Sequence, residues 1–118
     1  MIRPNTYLDI REAFAPAGCI SQSLTDFEVR PEQVEMAGAI QRAILDCRHL
    51  AVEAGTGVGK SFAYLIPAIE YVCRTGEKAV ISTYTITLQE QLINKDIPFL
   101  ADCVPEKFVA ALAKGRGN

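Results

Sequence analysis

The stretch Ala54-Gly55-Thr56-Gly57-Val58-Gly59-Lys60-Ser61 decides the fold. Its small residues let the backbone turn tightly enough for several N–H groups to point at one centre, where they can bind phosphate oxygens at a helix N-terminus. Lys60 would place a positive charge beside the β and γ phosphates, and Ser61 would offer a hydroxyl ligand to Mg²⁺. The strict pattern begins with glycine and this one begins with Ala54, but its Gly59-Lys60-Ser61 core is intact. A glycine-rich turn without a ligand would not explain Lys60 and Ser61, so the loop predicts binding of a nucleoside triphosphate.

The flanking segments place this loop between a strand and a helix. Residues 49–53 form a short apolar run before the loop, and residues 60–74 have helical length after it. Residues 78–83 and 108–113 are two further apolar runs that we predict to be buried strands. Alternating strands and helices predict an α/β fold, a parallel sheet with flanking helices. With three candidate strands, the sheet is expected to be incomplete.

Four features predict where the helices begin and end. Apolar residues recur every three or four positions over residues 31–47, which predicts a helix with one buried stripe and Pro31 in its first turn. Pro67 lies inside the helix predicted after the loop, so we expect a kink there or a helix that starts late. Gly76 should end that helix. Thr87 and Glu90 form a capping box for a helix to about residue 96, which Pro98 should end.

Composition restricts the class of protein. The chain has 118 residues, 49% of them hydrophobic and 22% charged, which is typical of one soluble globular domain. The net charge of -2 argues against binding nucleic acid through bulk electrostatics, although a local basic strip remains compatible with it. No apolar stretch approaches the ~20 residues needed to span a membrane. Residues 1–26 are expected to be a leader with one short helix at residues 8–14.

The four cysteines lie far apart and form no Cys-x-x-Cys pair. They are Cys19, Cys47, Cys73 and Cys103. We predict buried free thiols rather than metal ligands or disulfides, a usage that suits a reducing, cytoplasmic location.

Several motifs in order give the chain a family resemblance. It carries FEVRPEQ at residues 27–33, EAGTGVGKS at 53–61, ISTYTITLQEQLINKDIP at 81–98 and KGRGN at 114–118. With these motifs it resembles the N-terminal part of the DinG-type helicases, bacterial relatives of the XPD iron-sulfur helicases in superfamily two. The resemblance implies that residues 27–118 are the first part of a RecA-like P-loop NTPase lobe that binds ATP and Mg²⁺.

The resemblance also implies roles for particular residues. Arg30 and Gln33 would contact adenine, and Gly55 to Ser61 would hold the phosphates and Mg²⁺, with Lys60 as the catalytic residue. The proposed DNA contacts are Thr83, Thr85 and Gln89, joined by Lys114 and Arg116 on one wall of a groove for single-stranded DNA, which we expect to bind weakly. From the residues alone, Gln33 could equally be a polar residue in a first helical turn. Thr83 and Thr85 could likewise do no more than cap a helix.

Parts of the family's machinery do not occur in this sequence. An Asp-Glu-x-His box, the arginine finger of a second lobe and the cysteines of an iron-sulfur cluster are missing, so the cluster remains possible only for a longer protein. The nearest imitation of the acidic box is Phe99-Leu100-Ala101-Asp102. We therefore expect an N-terminal fragment or truncated product of a 5′ to 3′ DNA helicase that does not hydrolyse ATP alone. The alternatives are a non-catalytic nucleotide-binding module and a small P-loop kinase.

Overall fold

The fold was analysed in a computed structural model that describes residues 14, 30–55, 59–104 and 106–115. Within these residues the elements are helical, and extended segments join them. No helix in the described part of the chain is long and apolar enough to cross a membrane. The elements are α1 (Pro31–Leu45), α2 (Lys60–Thr75), α3 (Ile86–Gln91), a π-helical turn (Leu92–Asp96) and α4 (Ile97–Cys103).

Helix α1 begins where the sequence predicts and ends two residues earlier. Pro31 occupies its first turn, and Gln33 and Ala37 are its buried residues. Past its end, Cys47 adopts the left-handed conformation with φ of 54°. The Cys47 N–H donates to the Ile44 carbonyl (3.2 Å) and the Arg48 N–H donates to the Ala43 carbonyl (2.9 Å). This is the Schellman motif, which stops the helix by satisfying carbonyls of its last turn.

Helix α2 lies between two left-handed glycines. Gly59 (φ 80°) is its N-cap and Gly76 (φ 75°) its C-cap, as predicted for Gly76. Pro67 is buried inside the helix. Because the helix already begins at Lys60, the predicted late start is wrong. The proline ring lacks an N–H, so Ala63 C=O loses its helical donor, and a kink at this point stays a prediction.

Helix α3, the π-helical turn and α4 follow one another without a break. The N-cap of α3 is Thr85, so the predicted capping box of Thr87 and Glu90 is wrong. The predicted end before Pro98 is also wrong, because the chain stays helical to Cys103. In the π-helical turn the Ile97 N–H donates to the Leu92 carbonyl, five residues back. In a regular α-helix the Pro98 ring would collide with the Asn94 carbonyl, and a wider turn just before it relieves that collision.

The core forms where α1 and α2 pack together and where the π-helical turn and α4 meet α2. Its buried apolar residues are Phe14, Ala37, Ala63, Leu65, Ile66, Ile69, Leu92 and Leu100. The rings of Phe62 and Phe99 lie 5.7 Å apart and join α2 to α4. Burial raises the pKa of Glu70 on α2, and Arg74, whose Nε lies 3.0 Å from Glu70 Oε1, opposes that rise. A buried carboxylate is thus tolerated because its partner lies one turn away.

The predicted sheet is not confirmed, because the structure assigns no strand within the residues that it describes. The three candidate segments, residues 49–53, 78–83 and 108–113, have no assigned secondary structure and do not pair as a ladder. The side chains of Val80 and Val109 are 93% and 94% exposed. A strand is stable when a neighbour satisfies its N–H and C=O groups and covers its apolar face. In the described residues these segments lack the ladder, and of their apolar side chains the structure shows only Phe108 packed against the core.

The cysteines are less buried than predicted. Cys47 is exposed, while Cys73 and Cys103 are half-buried, and all three are free thiols. Cys47 lies outside α1 because the helix ends at Leu45, so the buried stripe does not include it. Cys19 lies outside the described residues, as do residues 8–13 of the predicted leader helix.

The backbone at Cys47 generates a stability prediction. A residue with a Cβ in the left-handed conformation costs roughly 1 to 2 kcal/mol, a cost that glycine avoids. We expect Cys47→Gly to raise the free energy of unfolding by about 1 kcal/mol relative to Cys47→Ala, since both remove the thiol and only glycine removes the strain. Urea denaturation of the two variants measures the difference. A Gly variant no more stable than the Ala variant would contradict the assignment of this C-terminal motif.

Candidate nucleotide site and nucleic-acid face

The described part of the glycine-rich loop flanks the first turn of α2. Ala54 is half-buried and Gly55 is exposed, with open space where a Cβ would lie. Lys60 is exposed and Ser61 half-buried, and both lie in the first turn of α2. Three predicted phosphate-binding residues, Thr56, Gly57 and Val58, lie outside the described residues.

The N-terminus of α2 has backbone donors available for an anion. The Ala63 N–H donates to the Gly59 carbonyl (3.3 Å), so the N–H groups of residues 60–62 precede the first bond of the helix. Gly59 has no side chain that could cap them. Free N–H groups and the positive end of the helix dipole together favour a phosphate at this position.

Gln33 of α1 contacts the loop at Gly59. Its side-chain Nε2 donates to the Gly59 carbonyl at 3.0 Å, across 26 residues of sequence. A Cβ built on Gly59 would lie 2.2 Å from the same nitrogen, so no side chain fits there. Gly59 is therefore required twice, by its positive φ and by the approach of Gln33.

The other end of the Gln33 amide is a buried acceptor. Gln33 is only 3% exposed, and its Oε1 has no hydrogen-bond partner among the described residues. Leaving such an oxygen unsatisfied costs about 1 to 3 kcal/mol. This burial and contact exceed what an ordinary polar residue in a first helical turn requires. One end of the amide thus holds the loop, and the other end is a buried acceptor without a partner among the described residues.

Arg30 lies one turn before Gln33, at the N-cap of α1. Its backbone carbonyl accepts from the N–H groups of Gln33 (3.1 Å) and Val34 (3.3 Å), and the residue is exposed. The structure thus places the two predicted adenine contacts at one end of α1, next to the loop.

The two threonines before α3 are engaged locally. The Thr85 hydroxyl accepts from the Leu88 N–H at 3.2 Å, which confirms its role as a helix cap. The Thr83 hydroxyl donates to the Thr85 carbonyl at 3.1 Å. Capping uses only one lone pair of the Thr85 hydroxyl and leaves its hydrogen available. Contact of these hydroxyls with DNA stays a prediction.

Gln89 and Lys114 meet across α3 and the last described segment. Gln89 Nε2 donates to the Ala113 carbonyl at 3.4 Å, and Lys114 Nζ lies 3.9 Å from Glu90 Oε1. Thr83, Gln89 and Ala113 line one cavity of about 430 Å³, whose opposite wall includes Leu65 and Ile69 of α2. Two of the proposed DNA contacts, Thr83 and Gln89, therefore line one cavity, and Lys114 follows Ala113 at its edge. Arg116 lies outside the described residues.

Asp102 and Asp96 lie in α4 and in the π-helical turn, outside the loop. Asp102 is exposed in the last turn of α4. Asp96 is buried in the π-helical turn, where loss of hydration raises its pKa and a hydrogen bond from Gln91 Nε2 (3.3 Å) opposes the rise. No group of three or more His, Cys, Asp or Glu side chains suited to a metal occurs among the described residues. Ser61 fits a single hydroxyl ligand to Mg²⁺.

The sequence patterns did not predict two contacts of the site. The Gln33 to Gly59 contact joins residues from different elements, and only the glycine's need for a left-handed turn could have hinted at it. The sequence pattern predicts Glu90 in a capping box, but the structure places its carboxylate beside Lys114. The spacing of Thr87 and Glu90 does not predict a contact with Lys114.

Comparison with known proteins gives consistent matches. A family model for the DEAD/DEAH box helicases matches residues 32–109. The chain is 43% identical over 109 residues to the ATP-dependent DNA helicase YoaA of Haemophilus influenzae, covering 92% of this chain and 16% of that protein. It is 38% identical over 100 residues to the ATP-dependent DNA helicase DinG of Escherichia coli, covering 82% and 14%. The chain thus spans about a sixth of the length of such relatives. No solved structure matches it significantly.

The close approach of Gln33 and Gly59 can be tested by mutation. We expect Gly59→Ala to lower the free energy of unfolding by roughly 2 to 5 kcal/mol, because it adds backbone strain and overpacking. In a Gln33→Ala background the collision disappears and only the backbone strain remains, so the loss should be smaller. Denaturant unfolding of the two single variants and the double variant measures this coupling. Additive losses would show that the two residues do not touch.

Proposed function

The chain belongs to the DEAD/DEAH box helicase family, and we propose that it is the opening part of the first RecA-like lobe of an ATP-dependent DNA helicase. A RecA-like P-loop fold is what that family implies, with the three extended segments as strands of its sheet. The proposed polarity, 5′ to 3′, rests on the resemblance to DinG-type helicases. The proposed location is the cytoplasm, which suits the free thiols of Cys47, Cys73 and Cys103.

The observation that carries the proposal is the buried Oε1 of Gln33, which has no hydrogen-bond partner within the part of the chain that the structure describes. Adenine presents an amino group as donor and a ring nitrogen as acceptor, whereas guanine presents an oxygen in place of the amino group. The Gln33 amide matches adenine because Oε1 accepts, and because Nε2 keeps a second hydrogen after donating to Gly59. Arg30 is proposed to contact the same base from one turn earlier.

The phosphates are proposed to bind at the N-terminus of α2. The donors are the N–H groups of the loop, Gly55 to Ser61, and the ammonium group of Lys60. Lys60 is exposed at the first position of α2, where its flexible side chain can reach the β and γ phosphates. The Ser61 hydroxyl is proposed as a Mg²⁺ ligand, and the metal would neutralise charge between the phosphates.

Single-stranded DNA is the proposed nucleic-acid partner. Its phosphates would meet the hydroxyls of Thr83 and Thr85, the amide of Gln89 and the cations Lys114 and Arg116. These groups form part of one wall of a groove, and the net charge of -2 adds little general attraction. We therefore propose weak binding by this chain.

Hydrolysis requires groups that the described site does not assemble. An arginine finger is worth about 10³ to 10⁵ in rate, and a general base about 10² to 10⁴. Among the described residues no group of three or more His, Cys, Asp or Glu side chains comes together, and Asp102 lies on α4, outside the loop. We propose that this chain alone binds ATP without turning it over, and we assign none of its cysteines to an iron-sulfur cluster.

Removal of the Lys60 charge tests the phosphate site. We expect Lys60→Ala to weaken binding of ATP with Mg²⁺ by about 10- to 100-fold, since hydrogen bonds to charged groups contribute about 1.5 to 3 kcal/mol. Isothermal titration calorimetry measures the affinity. Lys107→Ala removes an exposed lysine elsewhere and should leave it unchanged. Equal affinities for wild type and Lys60→Ala would rule out this site.

The preference for ATP over GTP tests the proposed contact between Gln33 and adenine. We expect Gln33→Ala to reduce the preference for ATP over GTP by about 5- to 100-fold, the value of one bidentate pair, while much of the phosphate affinity remains. Competition titrations with the two nucleotides give the ratio. Gln41→Ala removes another amide from α1 and should preserve it. An unchanged ratio in Gln33→Ala would mean that Gln33 only supports the loop.

A further inference from the structure

The end of α3 and residues 113–114 are joined by two adjacent contacts, which we call the clasp. Gln89 Nε2 donates to the Ala113 carbonyl at 3.4 Å, and Glu90 Oε1 lies 3.9 Å from Lys114 Nζ. Neighbours on the helix thus contact neighbours on the extended segment. The Gln89 bond fixes the backbone of that segment, so Lys114 lies opposite Glu90 rather than elsewhere along α3.

Glu90 has no other structural explanation in the described residues. It does not belong to the cap of α3, whose acceptor is Thr85, and it is not buried, since 55% of its side chain is exposed. The Lys114 side chain is 32% exposed, so both charged ends reach solvent. An ion pair of this kind is worth about 0 to 1 kcal/mol, which makes it easy to exchange for another partner.

The partner that can replace Glu90 is an anion at the same face. Gln89 and Ala113 line the cavity that Thr83 also lines, so the clasp adjoins the hydroxyls proposed to meet DNA. An ammonium group on a flexible stem can move from a carboxylate to a phosphate oxygen without a change in the backbone. The carboxylate left behind then lies close to the bound phosphate and repels it.

We infer that Glu90 sets the affinity of this face for single-stranded nucleic acid, because its carboxylate holds Lys114 until a backbone phosphate displaces it. The inference rests on the proposed function, in which Lys114 contacts DNA. Glu90 acts through Lys114 and is a positioning residue. The exchange replaces the Glu90 carboxylate by a phosphate as the partner of Lys114. Part of the binding free energy of the phosphate contact is therefore used to break the pair of Lys114 and Glu90.

The test is a double-mutant cycle of the 118-residue chain with a labelled oligothymidylate as probe. We expect Glu90→Gln to strengthen binding about two- to fivefold at low salt, the range of an exposed ion pair. The plot of log affinity against log salt should steepen by up to about 0.7, the value of one added contact to a single strand. Lys114→Ala should weaken binding, and in that background Glu90→Gln should have no effect. Glu35→Gln removes an exposed acid from α1 and controls for net charge.

Each result of the cycle decides a different question. Binding that depends on Lys114 with additive effects of the two substitutions overturns the clasp and leaves the DNA face standing. Weaker binding by Glu90→Gln also overturns it, because Glu90 would then orient Lys114 towards the phosphate. If none of the chains binds the oligothymidylate, the proposed DNA contacts and the clasp both fail. If Lys114→Ala binds as well as wild type, Lys114 is not a contact and the clasp has no role.

Discussion

The contact between Gln33 and Gly59 is the constraint on which the nucleotide site depends. It fixes the first turn of α1 against the last residue of the loop, and it tolerates no side chain at position 59. The same glycine has the positive φ that lets α2 begin at Lys60. One residue therefore affects both the start of α2, where the proposed phosphate donors lie, and the packing of the Gln33 amide. The proposed base and phosphate contacts are thus linked through the Gly59 carbonyl group.

Helix α2 links that site to the rest of the molecule. Its first turn carries Lys60 and Ser61, and its buried face supplies half of the buried apolar core residues of the described chain. Leu65 and Ile69 also line the cavity beside α3. The nucleotide site and the proposed nucleic-acid face thus share one rigid element. Pro67 lies between Leu65 and Ile69, and the helix is continuous across it. Packing on both sides stabilises the turn that has lost a hydrogen bond.

Local patterns predicted the helices well and the tertiary contacts poorly. The starts of α1 and α2 and the stop at Gly76 followed from prolines and glycines, whose effects reach only a few residues. Thr85 and Thr87 are both suitable N-cap residues, and the structure uses Thr85. The Thr83 hydroxyl also donates to the Thr85 carbonyl, a contact that the sequence pattern does not predict.

A ladder between residues 78–83 and 108–113 would join segments far apart in sequence. Apolar composition therefore predicts strands there but does not determine whether they pair. The loop motif predicts the roles of Lys60 and Ser61 from local sequence alone, and these roles stay predictions. The burial of Gln33 depends on Gly59, which lies 26 residues away, and no periodicity encodes that distance.

The π-helical turn has a consequence for the direction in which α4 faces. A π-helical turn bonds residues five apart and so holds one residue more than an α-helical turn. In α-helical geometry each residue advances the face by about 100°, so deletion of one residue between Leu92 and Asp96 would rotate α4 relative to α3. Leu100 could then not face the core while Glu90 faced Lys114. The extra residue thus acts as an angular spacer between the two ends of one continuous helical segment.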